Sequence, residues 1–382
     1  MALSSSPKTP FTVLHVASGD RWAGAEVQLH TLLTHLNTRD NLKVRAVLLN
    51  EGEAAVRLRA SGIPVDILDE SQIGSPRIFL GLRQLLRRYR PQVIHTHRQK
   101  ENVLVSLANA TTLYAPCVRT VHGAPEHVPP WSQPHKRLFR WADLFVGRYL
   151  QKRIIAVTRD LGSQLRDFFP ATKVTVIENG VDVEAISAQA KVTADFRLAQ
   201  PQHQHIGIVG RLDPVKRVDI FLGMAAELLK RNLLLPLAFH IFGEGPLRTQ
   251  LGELVQRHQL NDAVTFHGHR QDIHTCIASL DVLIMCSDHE GMPMAVLEAL
   301  ALGTPVIANR VGGLIDALGN GSAGVLLEDR NETSYADAVQ NLLSSPATAS
   351  QFKEQGATWV TEQFSAARNA ELTAAVYMDL HG

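Results

Sequence analysis

The sequence predicts an α/β protein of two doubly wound domains, each a parallel sheet covered by helices on both faces. Three observations carry this. Short β-branched runs alternate with longer helical patterns along almost the whole chain. The runs are near-continuously apolar, as strands buried on both faces are, rather than alternating. A polar, weakly patterned stretch, DVEAISAQAKVTADFRLAQPQHQ (182–204), separates them into two sets and reads as a linker. A chain of 382 residues suffices for about two domains of ordinary size, each with its own core.

In chain order, the strand candidates of the first set are FTVLHVAS (11–18), KVRAVLLN (43–50), PVDILD (64–69), QVIHTH (92–97), CVRTVHG (117–123), RIIAVT (153–158) and VTVIENG (174–180). Those of the second are HIGIVGR (205–211), LAFHIFGEG (237–245), VTFHGH (264–269), DVLIMCS (281–287), PVIANR (305–310) and GVLLED (324–329). Helical periodicity shows in VQLHTLLTHL, VDIFLGMAAELLKR and YADAVQNLLSS. The boundary falls near 185, giving domains 1–185 and 186–364. In such folds ligands bind outside the carboxyl ends of the strands, so the cleft between two facing domains is the expected site.

Composition narrows the function. A hydrophobic content of 45% with 20% charged residues describes a soluble globular chain. Net charge is +1, which gives no electrostatic footprint for nucleic acid. Cys117, Cys276 and Cys286 show neither metal-ligand nor redox spacing, and their odd number argues against a disulfide framework. The N-terminus lacks a signal-peptide pattern, and no apolar run is long enough to span a membrane. A cytoplasmic protein is expected.

The stretch SDHEGMPMAVLEALALGTPVIANRVGG (287–313) carries two glutamates, Glu290 and Glu298, with seven residues between them. Glu290 falls in the loop after a buried strand. Pro293 suits the first helical position and Gly303 the position just past the helix end. Glu298 then lies roughly 7–8 Å along the helix axis. An ionised carboxylate only accepts hydrogen bonds, so it can hold a pair of vicinal hydroxyls, which sugars and riboses present. Alone, either glutamate reads as a solvated surface residue; the pair in this strand–loop–Pro–helix–Gly frame reads as a ligand site.

A second cluster is VGRLDPVKRVDIF (209–221). Arg211 follows a strand end, and Lys216 precedes the next helix. A guanidinium fork, an ammonium and a helix N-terminus together suit a diphosphate, whereas most basic residues are simply solvated. In SGDRWAGAEVQLH, Gly24 opens the first helix and lets a phosphate approach the backbone. FGEGP (242–246) has G-x-G after a strand but no third glycine, so a dinucleotide site is discounted. His95, His97 and His122 end two strands of the first domain. No carboxylate or cysteine completes a metal-ligand set around them, so hydrogen-bonding roles are expected, with His122 nearest to substrate.

EGMPMAVLEALALGTPVIANRVGG resembles the E-x7-E signature of the retaining GT-B glycosyltransferases of family 4 type (glycosyl transferases group 1), which include bacterial polysaccharide and lipopolysaccharide sugar transferases. GRLDPVK resembles that family's phosphate clamp, VIENGVD its inter-domain strand end, GAE its glycine loop and TVHG its strand-end histidine. Order and spacing agree over about residues 11 to 378. The resemblance implies two Rossmann-like domains, an N-terminal one on the acceptor side and a C-terminal one binding the donor. A C-terminal helix near 365–382 would pack back on the first domain. It implies a nucleoside-diphosphate sugar, UDP- or GDP-linked, as substrate, with no cofactor. Arg211 and Lys216 would hold the diphosphate, Glu298 the ribose hydroxyls and Glu290 the donor sugar. Gly291, Met292 and Pro293 would present backbone, Gly24 would approach the β-phosphate, and His122 would lie near sugar and acceptor. Ala23 replaces the first of two adjacent glycines often found in that loop. With no D-x-D pair beside the phosphate cluster, no obligatory metal is expected; Arg211, Lys216 and helix N-termini would stabilise the leaving diphosphate. A GT-B epimerase, a phosphorylase or a non-catalytic nucleotide-sugar-binding protein are the alternatives.

WSQPHKRLFRWADLFVGRYLQKR (131–153) interleaves Lys136, Arg137, Arg140, Arg148, Lys152 and Arg153 with aromatics. Leu138, Trp141, Phe145 and Tyr149 share one side at helical spacing. The plain expectation is a helix packing that side on the domain core. The alternative is peripheral attachment to an anionic inner leaflet, near a lipid-linked acceptor.

Overall fold

The computed structural model describes residues 10–20, 22, 24–123, 134–231, 233 and 235–381. Ala23, residues 131–133 and the Lys136 side chain lie outside the described set. Thirteen strands occur among the described residues: β1 (Phe11–Ala17), β2 (Leu42–Leu48), β3 (Val65–Ile67), β4 (Val93–Thr96), β5 (Cys117–Val121), β6 (Gln151–Ala156), β7 (Val174–Val176), β8 (Gln204–Val209), β9 (Leu237–Phe242), β10 (Val264–Gly268), β11 (Val282–Met285), β12 (Val306–Asn309) and β13 (Val325–Leu327). Each overlaps one predicted strand.

They form two sheets, ordered β3-β2-β1-β4-β5-β6-β7 and β10-β9-β8-β11-β12-β13. Every pairing is parallel. This is the doubly wound architecture, and it follows from strands apolar on both faces. In β1, Val13 packs with the helix Gly24–Asn37 on one face, and Leu14 and Val16 pack with the helix Ser75–Tyr89 on the other. The order reverses between β1 and β4 and between β8 and β11. At such points the outgoing loops diverge and leave room for a ligand at the strands' carboxyl ends.

Two compact units result. One comprises residues 1–180 and 366–382, the other 181–365. The final helix, Ala366–His381, belongs to the first unit and lies on the helix Gly24–Asn37. The segment 182–204 is not a free linker. It forms two short helices, Val183–Gln189 and Asp195–Ala199, built into the second unit. Arg197 pairs with Asp281 at 2.5 Å, and the Phe196 ring lies 4.1 Å from that of His240. Its polar pattern hides these helices because tertiary contacts, not an apolar stripe, hold them.

The helix Pro134–Tyr149 departs from the plain expectation. Leu138, Trp141, Phe145 and Tyr149 are 67%, 64%, 45% and 63% exposed, so that side faces outward. Asp143 and Val146 are buried instead. Asp143 takes Arg119 in an ion pair at 2.9 Å. Gly147 lies so close to the Phe169 ring that a Cβ there would stand 2.5 Å from it. The helix is docked by its small and polar face, and its aromatic face is left out.

Candidate functional site

In the second unit, the loops leaving β8 and β11 run side by side, and the Asp288 N–H donates to the Val215 carbonyl at 2.8 Å. Arg211 lies just past the end of β8 and is exposed. A single 3-10 turn, Pro214–Lys216, follows, and Arg217 adopts φ 49° to enter the helix Val218–Leu229. Arg217 is held by Asp219 at 2.9 Å and Asp288 at 3.2 Å. Lys216 turns to Glu290: its Nζ is 2.5 Å from Oε1, with the two side chains 21% and 10% exposed. A desolvated ammonium and carboxylate thus neutralise one another, each holding the other in place.

The Glu290 loop is fixed from behind. Its carbonyl accepts from the Gly313 N–H at 3.1 Å. Gly312, at φ 46°, passes so close that a Cβ would stand 2.2 Å from the same oxygen. Only glycine combines that approach with that backbone. The buried Asn309 amide donates to the Cys286 and Ser287 carbonyls at 2.9 and 2.8 Å, joining the ends of β11 and β12. Tyr335 donates to the Asn309 side-chain oxygen. Met292 and Pro293 are buried, so what they offer a ligand is backbone.

The helix begins at Met294, one position later than expected, with Pro293 in extended conformation as its cap. It closes at Gly303, φ 70°, where Gly303 N–H donates to Leu300 and Thr304 N–H to Ala299. Glu298 is partly buried, with its Oε2 3.8 Å from His274 Nε2. His274 in turn contacts Gln189 Oε1 through Nδ1 at 2.8 Å. His274, Asn309 and Gly312 were missed by sequence reasoning. Gly312 was visible in the VGG run; nothing local marks the other two. The glycines of FGEGP also find a purpose. Leu212 N–H donates to the Glu244 carbonyl at 3.0 Å, so this loop braces the segment carrying Arg211.

In the first unit, Gly24 is exposed and opens the first helix. Arg98, just past β4, pairs with Asp20 at 3.1 Å and with buried Glu26, tying together the loops after β1 and β4. His122 follows β5 directly and contacts His97 at 3.4 Å. Burial pushes the His122 imidazole down to about 4, helped by the Arg98 and Arg119 charges. Burial likewise holds His15, His95 and His97 well below the usual histidine range. These rings are neutral at neutral pH. Nitrogens of His15, His95 and His97 lie within 4.8 Å of one another. His97 Nε2 and His15 Nδ1 face each other at 3.0 Å, and the two nitrogens of His95 contact the Tyr377 and Thr120 hydroxyls at 2.5 and 2.8 Å, so hydrogen bonds within the protein occupy these nitrogens.

The structure therefore brings Lys216 and Glu290 into contact and sets Glu298 Oε2 3.8 Å from His274 Nε2. Arg211 is exposed just past the end of β8.

Residues 22–185 match Glycosyltransferase Family 4, and residues 195–359 match Glycosyl transferases group 1. The chain is 29% identical over 290 residues to UDP-Gal:alpha-D-GlcNAc-diphosphoundecaprenol alpha-1,3-galactosyltransferase of Escherichia coli, covering 74% of each protein. It is also 29% identical over 237 residues to D-inositol 3-phosphate glycosyltransferase of Paenarthrobacter aurescens, covering 59% of this chain and 57% of that protein. Among solved structures, the Anabaena HepE protein in complex with UDP superposes with a TM-score of 0.81 at 19% identity, over 96% of this chain and all of that one. At that identity the likeness is one of fold.

Proposed function

The chain is a glycosyltransferase of GT-B fold that uses a nucleotide sugar, and we propose that it transfers a hexose with retention of configuration to a glycan or lipid-linked acceptor, in cell-envelope or exopolysaccharide synthesis. The observation that carries this reading is the Lys216–Glu290 pair at the β8/β11 reversal, with Glu298 on the following helix. The donor's diphosphate takes Lys216 and Arg211, and Glu290, released from Lys216, accepts from the donor sugar's hydroxyls. Glu298 accepts from the ribose hydroxyls. Gly291, Met292 and Pro293 offer backbone. Gly24 and His122 serve from the N-terminal domain, Gly24 toward the phosphate and His122 toward sugar and acceptor. As the diphosphate leaves, its growing charge meets the Lys216 and Arg211 cations. The E. coli relative's name specifies UDP-Gal and a diphosphoundecaprenol acceptor, which supports a UDP-sugar and a lipid-linked acceptor.

The two glutamates give separable expectations. Glu298→Ala weakens binding of free UDP or GDP in calorimetry. Glu290→Ala leaves nucleotide affinity nearly intact and lowers turnover, since its partner is the transferred sugar. Undiminished nucleotide affinity in Glu298→Ala sinks the ribose assignment.

The outward ridge of the helix Pro134–Tyr149 supports a site of work on the cytoplasmic face of the membrane. Trp141 stacks on Phe145, and Phe145 meets Tyr149 tilted, with centroids 5.7 and 4.9 Å apart. Arg140 and Arg148 lie on the same helix. No helix among the described residues is long and apolar enough to cross a membrane. Aromatic rings at the headgroup level and cations toward anionic lipid are the two elements of interfacial binding, with about 1 kcal/mol per basic residue. The protein is expected to sediment with anionic vesicles, less so in high salt. Trp141→Ser/Phe145→Ser and Arg140→Ser/Arg148→Ser are each expected to release it. Equal recovery in the supernatant with anionic and neutral vesicles removes the membrane from the reading.

A further inference from the structure

Six side chains of the N-terminal unit form one continuous hydrogen-bonded line. His122 Nε2 meets His97 Nδ1 at 3.4 Å, and His97 Nε2 meets His15 Nδ1 at 3.0 Å. His15 Nε2 meets the Tyr377 hydroxyl at 3.3 Å, and that hydroxyl meets His95 Nδ1 at 2.5 Å. His95 Nε2 ends the line on the Thr120 hydroxyl at 2.8 Å. Both nitrogens of His15, His95 and His97 are used. His122 Nδ1 is buried and has no partner among the described residues.

A neutral imidazole has one N–H and one lone pair, so each ring must donate on one side and accept on the other. The tautomers of the line are therefore coupled, and a contrasting line in the second unit shows how an end group sets them. There His267 Nε2 meets His240 Nδ1 at 2.9 Å, His240 Nε2 meets His205 Nδ1 at 2.8 Å, and His205 Nε2 meets the Gln200 carbonyl at 3.0 Å. A carbonyl only accepts, so all three rings carry their proton on Nε2. The first line has no carbonyl. Its direction is decided at Tyr377, whose single proton goes to His95 or to His15. A phenol is a good donor and a weak acceptor, so its proton belongs to the shorter contact, that with His95. His15 Nε2–H then donates to the phenol oxygen, His97 Nε2–H to His15, and His122 Nε2–H to His97.

We propose that Tyr377, on the C-terminal helix, is a positioning residue that acts through His15 and His97 to keep the Nδ1 of His122 an unprotonated acceptor. This rests on the reading of His122 as a substrate-side residue: a bare Nδ1 accepts a hydrogen bond from a sugar or acceptor hydroxyl, whereas a protonated one can only donate to the hydroxyl oxygen and cannot take its proton. Removing the phenol leaves His15 Nε2–H a buried donor with no acceptor. Orphaned buried N–H groups are rarer than under-satisfied acceptors. The three rings then turn over together, which moves the unpaired N–H from His15, 1% exposed, to His122, half-buried at the strand end, where a hydroxyl oxygen of substrate can accept it.

The test is nitrogen NMR of 15N-histidine-labelled protein, with resonances assigned by single replacements. Wild type is expected to show His122 protonated at Nε2 and bare at Nδ1, and Tyr377→Phe is expected to invert that pattern. Transfer turnover in Tyr377→Phe falls about 10²-fold, the lower end of the range for a positioned proton-handling group, at unchanged UDP affinity. It falls no further in Tyr377→Phe/His122→Ala. A wild-type His122 already protonated at Nδ1, or the same pattern in Tyr377→Phe, overturns the proposal. So does one tightly bound zinc that disappears in His95→Gln, because a metal-bound nitrogen passes no hydrogen bond along the line. If His122→Ala transfers sugar normally while the inversion is seen, the substrate-side reading fails and the coupling stands.

Discussion

Lys216→Ala is expected to lower the rate of sugar transfer by about 10²–10³, the loss that follows removal of one preorganised charge from a developing anion. It does more than that, because Lys216 is also the partner of Glu290, only 10% exposed and 2.5 Å away. Removing the ammonium leaves a largely buried carboxylate uncompensated, at a cost of up to about 3–5 kcal/mol where burial is complete. Thermal melts therefore shift down alongside the rate. The two effects separate in Lys216→Ala/Glu290→Gln, which recovers stability and stays inactive. Arg211→Ala, with an exposed side chain, loses rate on the same scale with little change in melting. Activity persists in EDTA. Recovery of the rate together with stability in the double variant, or activity abolished by chelator and restored by Mg²⁺, sinks the two-cation clamp.

Acid is expected to destabilise the fold steeply between about pH 6.5 and pH 4. Burial lowers His15, His95, His97 and His122 in the first unit and His205, His240 and His267 in the second. Each titrates lower in the folded protein than in the unfolded chain, so the unfolded chain takes the proton first. Stability is complete above the unfolded value and is lost as pH falls toward the folded one. His122, held near 4 against an ordinary 6.5, alone accounts for on the order of 3 kcal/mol. Glu101 works the other way: burial raises its carboxyl to about 7, so it favours the fold as pH drops from 7 to 4.5. One such group offsets only part of the histidine effect. Urea unfolding at pH 7.5, 6, 5 and 4 checks this. The fall is expected to be shallower in His240→Phe, which removes a ring pushed down to about 3. A free energy of unfolding that stays level from pH 7 to 5 contradicts the picture.

The sequence by itself determined the thirteen strands, the doubly wound class and the helix ending at Gly303, because each is written locally. A continuous apolar run identifies a doubly covered strand, and a glycine just past a helix marks its end. The same holds for the places of Glu290, Arg211 and Lys216 in the loops after strands and of Glu298 within the helix, which follow from those elements. Their partners were beyond its reach. Lys216 and Glu290 are 74 residues apart, and His15 and Tyr377 are 362 apart. No local pattern links such pairs; the parallel sheet order and the return of the last helix bring them together. The helix Pro134–Tyr149 shows the limit most plainly. Periodicity gathered Leu138, Trp141, Phe145 and Tyr149 on one side, but it cannot say which side faces the core. Tertiary packing chose the other one. Only the side with Gly147 comes close enough to the Phe169 ring, and only there does Asp143 reach Arg119.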